Sequence, residues 1–184
     1  MTAMAGWARE VAEGLLAEAL PRRWAHTQGV ARQARSFVDR LGADADLVEA
    51  AAWLHDIGYS PAIAVTGFHP LDGARYLRDE LKADATLCAL VAHHSGAAVE
   101  AECRELSNEL ADFGAPGDHE RLLGFVTAAD LTTTPDGQLT SPVERIAEIK
   151  TRYPAESIVH QAICRSGDDL IATTHRVMGH GNPR

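Results

Sequence analysis

Apolar residues in this chain recur at the spacing of an α-helix almost everywhere, and no stretch shows the clear two-residue alternation of a half-buried β-strand. One apolar stripe, for example, runs through Val30, Ala34, Phe37 and Leu41, which lie at i, i+4, i+7 and i+11. A repeat of this kind allows a chain to bury its apolar faces only by packing helix on helix. The spacing therefore predicts an all-α fold, a compact bundle of about six to eight helices.

Glycine and proline residues divide the periodic segments from one another. The predicted helices cover residues 7–20, 21–41, 44–58, 69–81, 83–94, 118–130, 142–152 and 154–178, and residues 97–116 stay ambiguous. Gly58 is interpreted as the left-handed residue that ends the third helix. With no internal repeat or long linker, we expect one domain over residues 1–184. Its motif-bearing part covers about 22–131, its C-terminal helices about 142–178, and a disordered tail 179–184.

The charge and the cysteine count narrow the function. The chain has 17 Lys and Arg against 26 Asp and Glu, a formal charge of −9, and no basic block. Binding to a nucleic-acid backbone is therefore not expected, because that affinity comes mainly from clustered basic residues. Three widely spaced cysteines without a CxxC pair argue against disulfides and against a cysteine zinc site. Without a signal-peptide pattern or a long apolar run, we expect a cytoplasmic protein with no membrane partner.

Four of the nine histidines lie at predicted helix ends. His55 is followed directly by Asp56, His69 opens a helix, and His93 and His94 close another. Adjacent residues on a helix point about 100° apart, so a dyad reaches one metal ion most easily where the helix ends. Each histidine also has an ordinary interpretation as a solvated or capping residue. The same holds for His26 within an Arg-rich helix and for Asp130 behind the apolar run GFVTAA.

Taken in chain order, His26, the His55-Asp56 dyad and Asp130 resemble the H…HD…D motif of the HD superfamily of metal-dependent phosphohydrolases. Five segments carry the resemblance: RRWAHTQGVARQA, AAWLHDIG, HPLDGARYL, LVAHHSG and FVTAAD. The resemblance extends from about residue 22 to residue 130. It implies the HD-domain helical fold and a metal-dependent enzyme.

The resemblance also implies the metal ligands and their chemistry. His26, His55, Asp56 and Asp130 would hold a first metal ion, and Asp56 would bridge to a second ion held by His69 and His93, with His94 as a further candidate ligand. Mixed imidazole and carboxylate ligands suit a divalent transition metal such as Fe, Mn, Ni, Co or Zn. The implied reaction is hydrolysis of a phosphoester or phosphoanhydride in a nucleotide or small phosphorylated metabolite, with His55 and Asp56 as catalytic residues.

The residues that would bind the substrate are less clearly marked. The spacing is most similar to that of the symmetrical diadenosine tetraphosphate hydrolases, but their Lys after the dyad is replaced by Tyr59. Phosphate contacts would then come from Arg22, Arg23 or Arg145, although each is equally interpreted as a solvated arginine. Tyr59 either donates a hydrogen bond to substrate or only packs. We expect a small phosphorylated substrate as partner and keep a homodimer open.

Two other functions remain open at this point. The di-iron oxygenases related to inositol oxygenase use the same order of ligands, so ligand identity alone does not separate oxygenation from hydrolysis. A non-catalytic HD module that senses a nucleotide is the third candidate. The full set of ligand types argues against that candidate, because loss of ligands usually marks such modules.

Overall fold

The computed structural model describes residues 3–179, except for the side chain of Asp118. The α-helices in this part are α1 (Ala3–Leu16), α2 (Pro21–Arg35), α3 (Val38–Leu41), α4 (Ala45–Leu54), α5 (His69–Asp79), α6 (Ala85–His93), α7 (Ala97–Cys103), α8 (Ser107–Ala111), α9 (Glu120–Leu131), α10 (Pro142–Arg152) and α11 (Ile158–Met178). Eight of them have nine or more residues. In residues 3–179, extended pairing is limited to one isolated bridge between Thr133 and Leu139. The predicted all-α fold is confirmed.

Several helix boundaries differ from those predicted. The predicted helix 21–41 is interrupted at Ser36 and Phe37, where the backbone turns before α3 begins. The ambiguous segment 97–116 contains α7 and α8. Helix α10 covers the predicted residues 142–152, because Ser141 caps it in a reciprocal pair with Glu144. Of the predicted tail 179–184, residues 180–184 lie outside the described part of the chain.

Helix α4 lies at the centre of the larger apolar core. Residues 48–54 are all buried, and the three alanines at 50–52 have no exposed surface. Small side chains let neighbouring helices approach closely, and α4 contacts α1, α2, α6 and α9. A smaller cluster, built around Leu131, Ile146, Ile163 and Leu170, joins α10 and α11 to the end of α9. The end of α4 is therefore held on several sides, and this end carries the His55-Asp56 dyad.

Gly58 does not have the left-handed conformation that the sequence suggested. It lies in a 3₁₀ turn, Ile57–Tyr59, and is not among the glycines with positive φ in the described chain. Its lack of a side chain serves a close approach instead, because a Cβ there would lie 2.0 Å from the carbonyl oxygen of His69. Gly58 thus brings the turn after the dyad against the start of α5. Gly96 does adopt a left-handed conformation, with φ of 78°.

In the described residues, no helix combines the length and the apolar character needed to cross a membrane.

Candidate metal centre

The helix ends converge on one buried cluster of histidines and carboxylates. His26 comes from the middle of α2, His55 and Asp56 follow α4, His69 opens α5, His94 follows α6, and Asp130 lies near the end of α9. The side chains of His26, His55 and Asp56 are at most 4 % exposed. The structure thus brings together six of the seven predicted ligands from five separate helices. Most are contributed at helix ends, where the backbone can turn a polar side chain inward.

The cluster divides into two groups that share Asp56. His26, His55 and Asp56 form the first group, and Asp56, His69 and His94 form the second; within each group the potential ligand atoms lie within 4.8 Å of one another. The two oxygens of Asp56 face different groups. Oδ2 is 3.3 Å from Nε2 of His55, and Oδ1 is 3.3 Å from Nε2 of His69. A carboxylate placed in this way has the arrangement of a ligand that bridges two metal ions.

Asp130 completes the first group, and the structure places His93 outside the second. Oδ1 of Asp130 lies 3.1 Å from Nε2 of His26. The His93 ring points away, and its Nε2 is 2.9 Å from the carbonyl oxygen of Gly114. His94 instead brings its Nε2 to 3.2 Å from Nε2 of His69. The position that the resemblance gave to His93 is therefore occupied by His94, because α6 ends at His93 and the extended backbone of His94 turns its ring into the cluster.

Backbone carbonyls orient three of these rings in the same way. Nδ1 of His26 lies 3.0 Å from the Thr134 oxygen, and Nδ1 of His55 lies 2.8 Å from the Ala52 oxygen. Nδ1 of His94 likewise lies 2.7 Å from the carbonyl oxygen of Val91. A carbonyl only accepts, so each Nδ1 carries the hydrogen, and in the neutral ring Nε2 presents its lone pair to the cluster. Metal-binding histidines are commonly fixed through their second nitrogen in this manner.

The cluster therefore contains more acceptors than donors. Nε2 of His55 is buried without a hydrogen-bond partner, and Nε2 of His26 faces carboxylate oxygens of Asp56 and Asp130 at 3.8 and 3.1 Å. Lone pairs at such distances repel one another unless a proton or a cation lies between them. The residues present thus fit a divalent transition metal, and the orphaned His55 nitrogen is the clearest sign of that fit.

The protonation states of Asp56, His69 and His94 favour metal binding. Burial opposes the ionised form of Asp56, but the neighbouring Arg23 and His55 outweigh burial and hold the pKa of Asp56 well below its usual range. Burial also lowers the pKa of His69 and of His94, so both rings favour the neutral form that binds metals. Burial acts in the same direction on His55, but its proximity to Asp56 outweighs burial and raises the pKa of His55.

A turn following α9 holds His26 in place. Residues 132–140 pack on α2 so closely that a Cβ on Gly137 would lie 2.2 Å from the carbonyl oxygen of Ala25. A Cβ on Gly29 of α2 would likewise lie 2.6–2.7 Å from atoms of Thr133 and Gly137 in the same turn. Arg32 donates a hydrogen bond to the Gly137 carbonyl oxygen at 2.9 Å. The TTTPDG sequence of this turn thus supports a ligand of the cluster, His26.

Ser95 is a site residue that the sequence gave no sign of. Its hydroxyl donates to Oδ2 of Asp130 at 2.6 Å. The backbone of Ser95 is left-handed, with φ of 47° and ψ of 41°, a conformation that is uncommon for residues other than glycine. Residues in such strained conformations occur often at functional sites. Nothing in the string HHSG distinguishes Ser95 from an ordinary turn serine.

Arg23 and Tyr59 lie together beside the cluster. The guanidinium of Arg23 is 2.7 Å from Oδ2 of Asp56 and 3.9 Å from the centre of the Tyr59 ring. The Tyr59 ring in turn stacks on His69, with 4.0 Å between ring centres. Of the two alternatives for Tyr59, packing is the one for which the structure gives contacts, and these contacts support the ligand candidate His69 and the guanidinium of Arg23.

The other two predicted substrate contacts differ in burial. Arg22 is exposed and pairs with Asp136 at 2.8 Å. Arg145 is buried, donates from Nη1 to Glu148 at 2.5 Å, and lies 3.9 Å from Oδ1 of Asp130. Arg152, which was not among the predicted substrate contacts, is two helical turns after Arg145, and both arginines pair with Glu148. The spacing of seven residues on one predicted helix was the signal available for finding it.

A cavity of about 100 Å³ opens onto the cluster. One side consists of the metal-ligand candidates with Arg23 and Tyr59. The other side includes Ile149 of α10, Ile163 of α11, and Tyr153, which directly follows α10. These two helices therefore form the wall opposite the ligands. A space of this size beside a cluster of imidazoles and carboxylates is suited to chemistry on a small group.

Comparison with known proteins gives one family match. A model of the HD domain matches residues 23–133, which is more than half of the chain. The matched region contains all of the ligand candidates described above and ends within the turn that supports His26. Helices α10 and α11 lie beyond it. No solved structure matches the chain.

Proposed function

Because this chain belongs to the HD domain family, whose members are generally metal-dependent phosphohydrolases, we propose that it hydrolyses a phosphoester or phosphoanhydride bond of a nucleotide or small phosphorylated metabolite. The observation that carries the proposal is the pair of ligand groups sharing Asp56, with its orphaned His55 nitrogen. His26, His55, Asp56 and Asp130 would hold one ion. Asp56, His69 and His94 would hold a second.

The ions would supply a Lewis acid for a phosphate oxygen and a bound water of lowered pKa as nucleophile. The protein itself holds the ligand side chains in the form that metal binding requires. The backbone carbonyls at Thr134, Ala52 and Val91 hold the imidazole hydrogens on Nδ1. Each Nε2 is thereby available before any ion arrives, which reduces the reorganisation that binding requires.

Arg23 would bind a phosphoryl oxygen next to the ligands. Its guanidinium is fixed between the Tyr59 ring and Asp56, and a planar fork of donors matches phosphate geometry. In the enzymes that this sequence resembles, a Lys occupies the position of Tyr59. We infer that Arg23, supported by the Tyr59 ring, supplies the positive charge in its place.

Metal content tests the ligand assignment, and two adjacent histidines offer a matched pair of variants. In protein loaded with Mn²⁺ and then desalted, we expect Asp56→Ala to lose most of the metal, because both groups share this residue. His94→Ala is expected to lose about one ion per chain, whereas His93→Ala retains the wild-type content. Mass-spectrometric metal analysis and titration calorimetry measure both. Equal loss from the two histidine variants, or full metal in Asp56→Ala, would refute the assignment.

A substrate screen tests the reaction. Phosphate release from nucleotides, sugar phosphates and dinucleoside polyphosphates is measured with Mn²⁺, Fe²⁺, Co²⁺ or Ni²⁺, and His55→Ala is expected to abolish it while His93→Ala does not. Release that is equal in wild type and His55→Ala would come from a contaminant and would contradict the proposal. Turnover of a diol or phosphonate that requires dioxygen, without phosphoester hydrolysis, would replace it by the oxygenase function.

A further inference from the structure

A second cavity, larger than the one at the ligands, shares Arg23 and His26 with it. Its volume is about 330 Å³. Its wall is formed by residues 19–21, the start of α2, Pro135 and helix α10. His26 lines both cavities, so the second space adjoins the candidate metal centre directly. We call it the arginine cavity.

Its charged lining is of one sign. Among the described residues, Arg22, Arg23, Arg145 and Arg152 line the arginine cavity together with His26, and no Asp or Glu does. The chain as a whole carries a formal charge of −9. A concave surface with four guanidinium groups on such a protein concentrates positive potential locally and favours anions.

Arg145 carries the observation that points to a ligand. Its side chain is 6 % exposed, and Nε is buried without a hydrogen-bond partner. Nη1 is held by Glu148, and Nη2 lies 3.9 Å from Asp130, beyond hydrogen-bond distance. Buried donors are almost always paired in native proteins. Arg145 lines both cavities, so an anion spanning them could accept from it.

The acidic partners of the arginines fix them without entering the cavity. Glu148 accepts from Arg145 and also from Nε of Arg152 at 2.8 Å. Arg22 is paired with Asp136 at the exposed edge. A guanidinium that is already held loses less side-chain freedom when it binds a ligand. The fork geometry of arginine also suits bidentate contact with phosphate.

We propose that the arginine cavity binds a second anionic phosphate group of the substrate while the phosphoryl group to be hydrolysed occupies the cavity at the ligands. The latter, about 100 Å³, is far below the size of pockets that enclose drug-sized ligands. The rest of the substrate therefore extends past Arg23 and Arg145. This inference rests on the proposed function and specifies its substrate class: compounds with two or more phosphates, rather than simple monoesters.

The test measures anion binding to protein stripped of metal with a chelator and then desalted, so that hydrolysis plays no part. The probes are inorganic phosphate and inorganic triphosphate, titrated by calorimetry at low salt. We expect triphosphate to bind at least tenfold more tightly than phosphate, and Arg152→Gln to weaken triphosphate binding about tenfold, the loss of one charged hydrogen bond. Arg152 is part-exposed, so this variant is expected to fold.

Arg165→Gln is the matched control. Arg165 lies on α11, is 54 % exposed and pairs with Glu102 at 2.6 Å, outside both cavities. The Arg165→Gln variant removes one positive charge, as Arg152→Gln does, and its triphosphate binding should stay at the wild-type value. Triphosphate binding no tighter than phosphate binding, or equal weakening in the two variants, would overturn the proposal.

Kinetics with metal-loaded protein separate this proposal from the proposed function. Suppose that phosphate is released from monoesters and triphosphates alike and that Arg152→Gln leaves both KM values unchanged. The proposed anion binding in the arginine cavity is then wrong, and the proposed hydrolase function is retained. If Arg152→Gln weakens triphosphate binding but no phosphorylated compound is hydrolysed, anion binding in the arginine cavity is supported and the proposed hydrolase function is wrong.

Discussion

The hydroxyl of Ser95 and its left-handed backbone make opposite contributions to stability, and two substitutions separate them. Ser95→Ala removes the hydrogen bond to Asp130 and keeps the unfavourable backbone. Ser95→Gly removes the same hydrogen bond but places at this position the one residue that adopts φ of 47° without strain.

The magnitudes follow from the structure. A hydrogen bond to a charged group contributes about 1.5–3 kcal/mol, and the lower end applies because Ser95 is half-buried. Ser95→Ala should therefore lower the free energy of unfolding by about 1.5 kcal/mol. Relief of the left-handed conformation returns about 1 kcal/mol, so Ser95→Gly should lose only about 0.5 kcal/mol. The Gly variant is thus expected to be the more stable one.

Urea denaturation of metal-free protein measures these differences, and Mn²⁺ titration provides a second readout. Both variants should bind Mn²⁺ more weakly than wild type by a similar factor, because both lose the group that orients Asp130. Glu105 is a control for strain alone: it is exposed, with φ of 60°, and lies outside the cavity. Glu105→Gly should be more stable than Glu105→Ala, with unchanged Mn²⁺ binding. Equal stability of Ser95→Gly and Ser95→Ala would refute the reasoning.

Two further predictions concern the dyad and its turn. Gly58→Ala would place a Cβ 2.0 Å from the His69 carbonyl oxygen and is expected to destabilise the protein by about 3 kcal/mol or more, as an overpacked backbone contact does, in thermal or urea denaturation. Gly14→Ala, a helical site with open space around it, is the control and should be neutral or stabilising; equal effects would contradict the contact. The pKa of Asp56 is low in the folded protein, so the unfolded chain takes up this proton first as the pH falls. The stability that Asp56 contributes to the metal-free protein is therefore present above about pH 4 and falls as the pH drops toward the folded pKa. Urea denaturation between pH 6 and 3 should show a shallower dependence in Asp56→Asn, and an unchanged slope would contradict this linkage.

The sequence was sufficient for the parts of the fold that depend on local pattern. Helix α10 follows from a capping box and a proline, both local signals. The resemblance of the ordered set from His26 to Asp130 to the HD superfamily predicted which segments meet, because a ligand set must converge whatever path the chain takes between its members. The family match over residues 23–133 agrees with that reasoning.

The sequence does not predict which side chains enter the site where this depends on the conformation of a single backbone turn. His93 and His94 are chemically identical neighbours, and which one enters the cluster depends on where α6 ends. Ser95 joins the site only through a left-handed conformation that its residue type does not favour. Gly58 was predicted to end its helix in a left-handed conformation, which is wrong, because the glycine serves a contact with a segment eleven residues away that no local rule reveals.

The turn between α9 and α10 has a consequence for engineering this protein. Thr134 accepts from the His26 ring, Gly137 sits against α2, and the same segment leads within a few residues to Arg145. A chimera that exchanges α10 and α11 with those of a relative, in order to transplant substrate preference, would need to carry residues 132–141 and the facing Gly29 as one module. A junction placed inside the turn would disturb the metal-ligand candidate His26 as well as the cavity wall formed by α10 and α11.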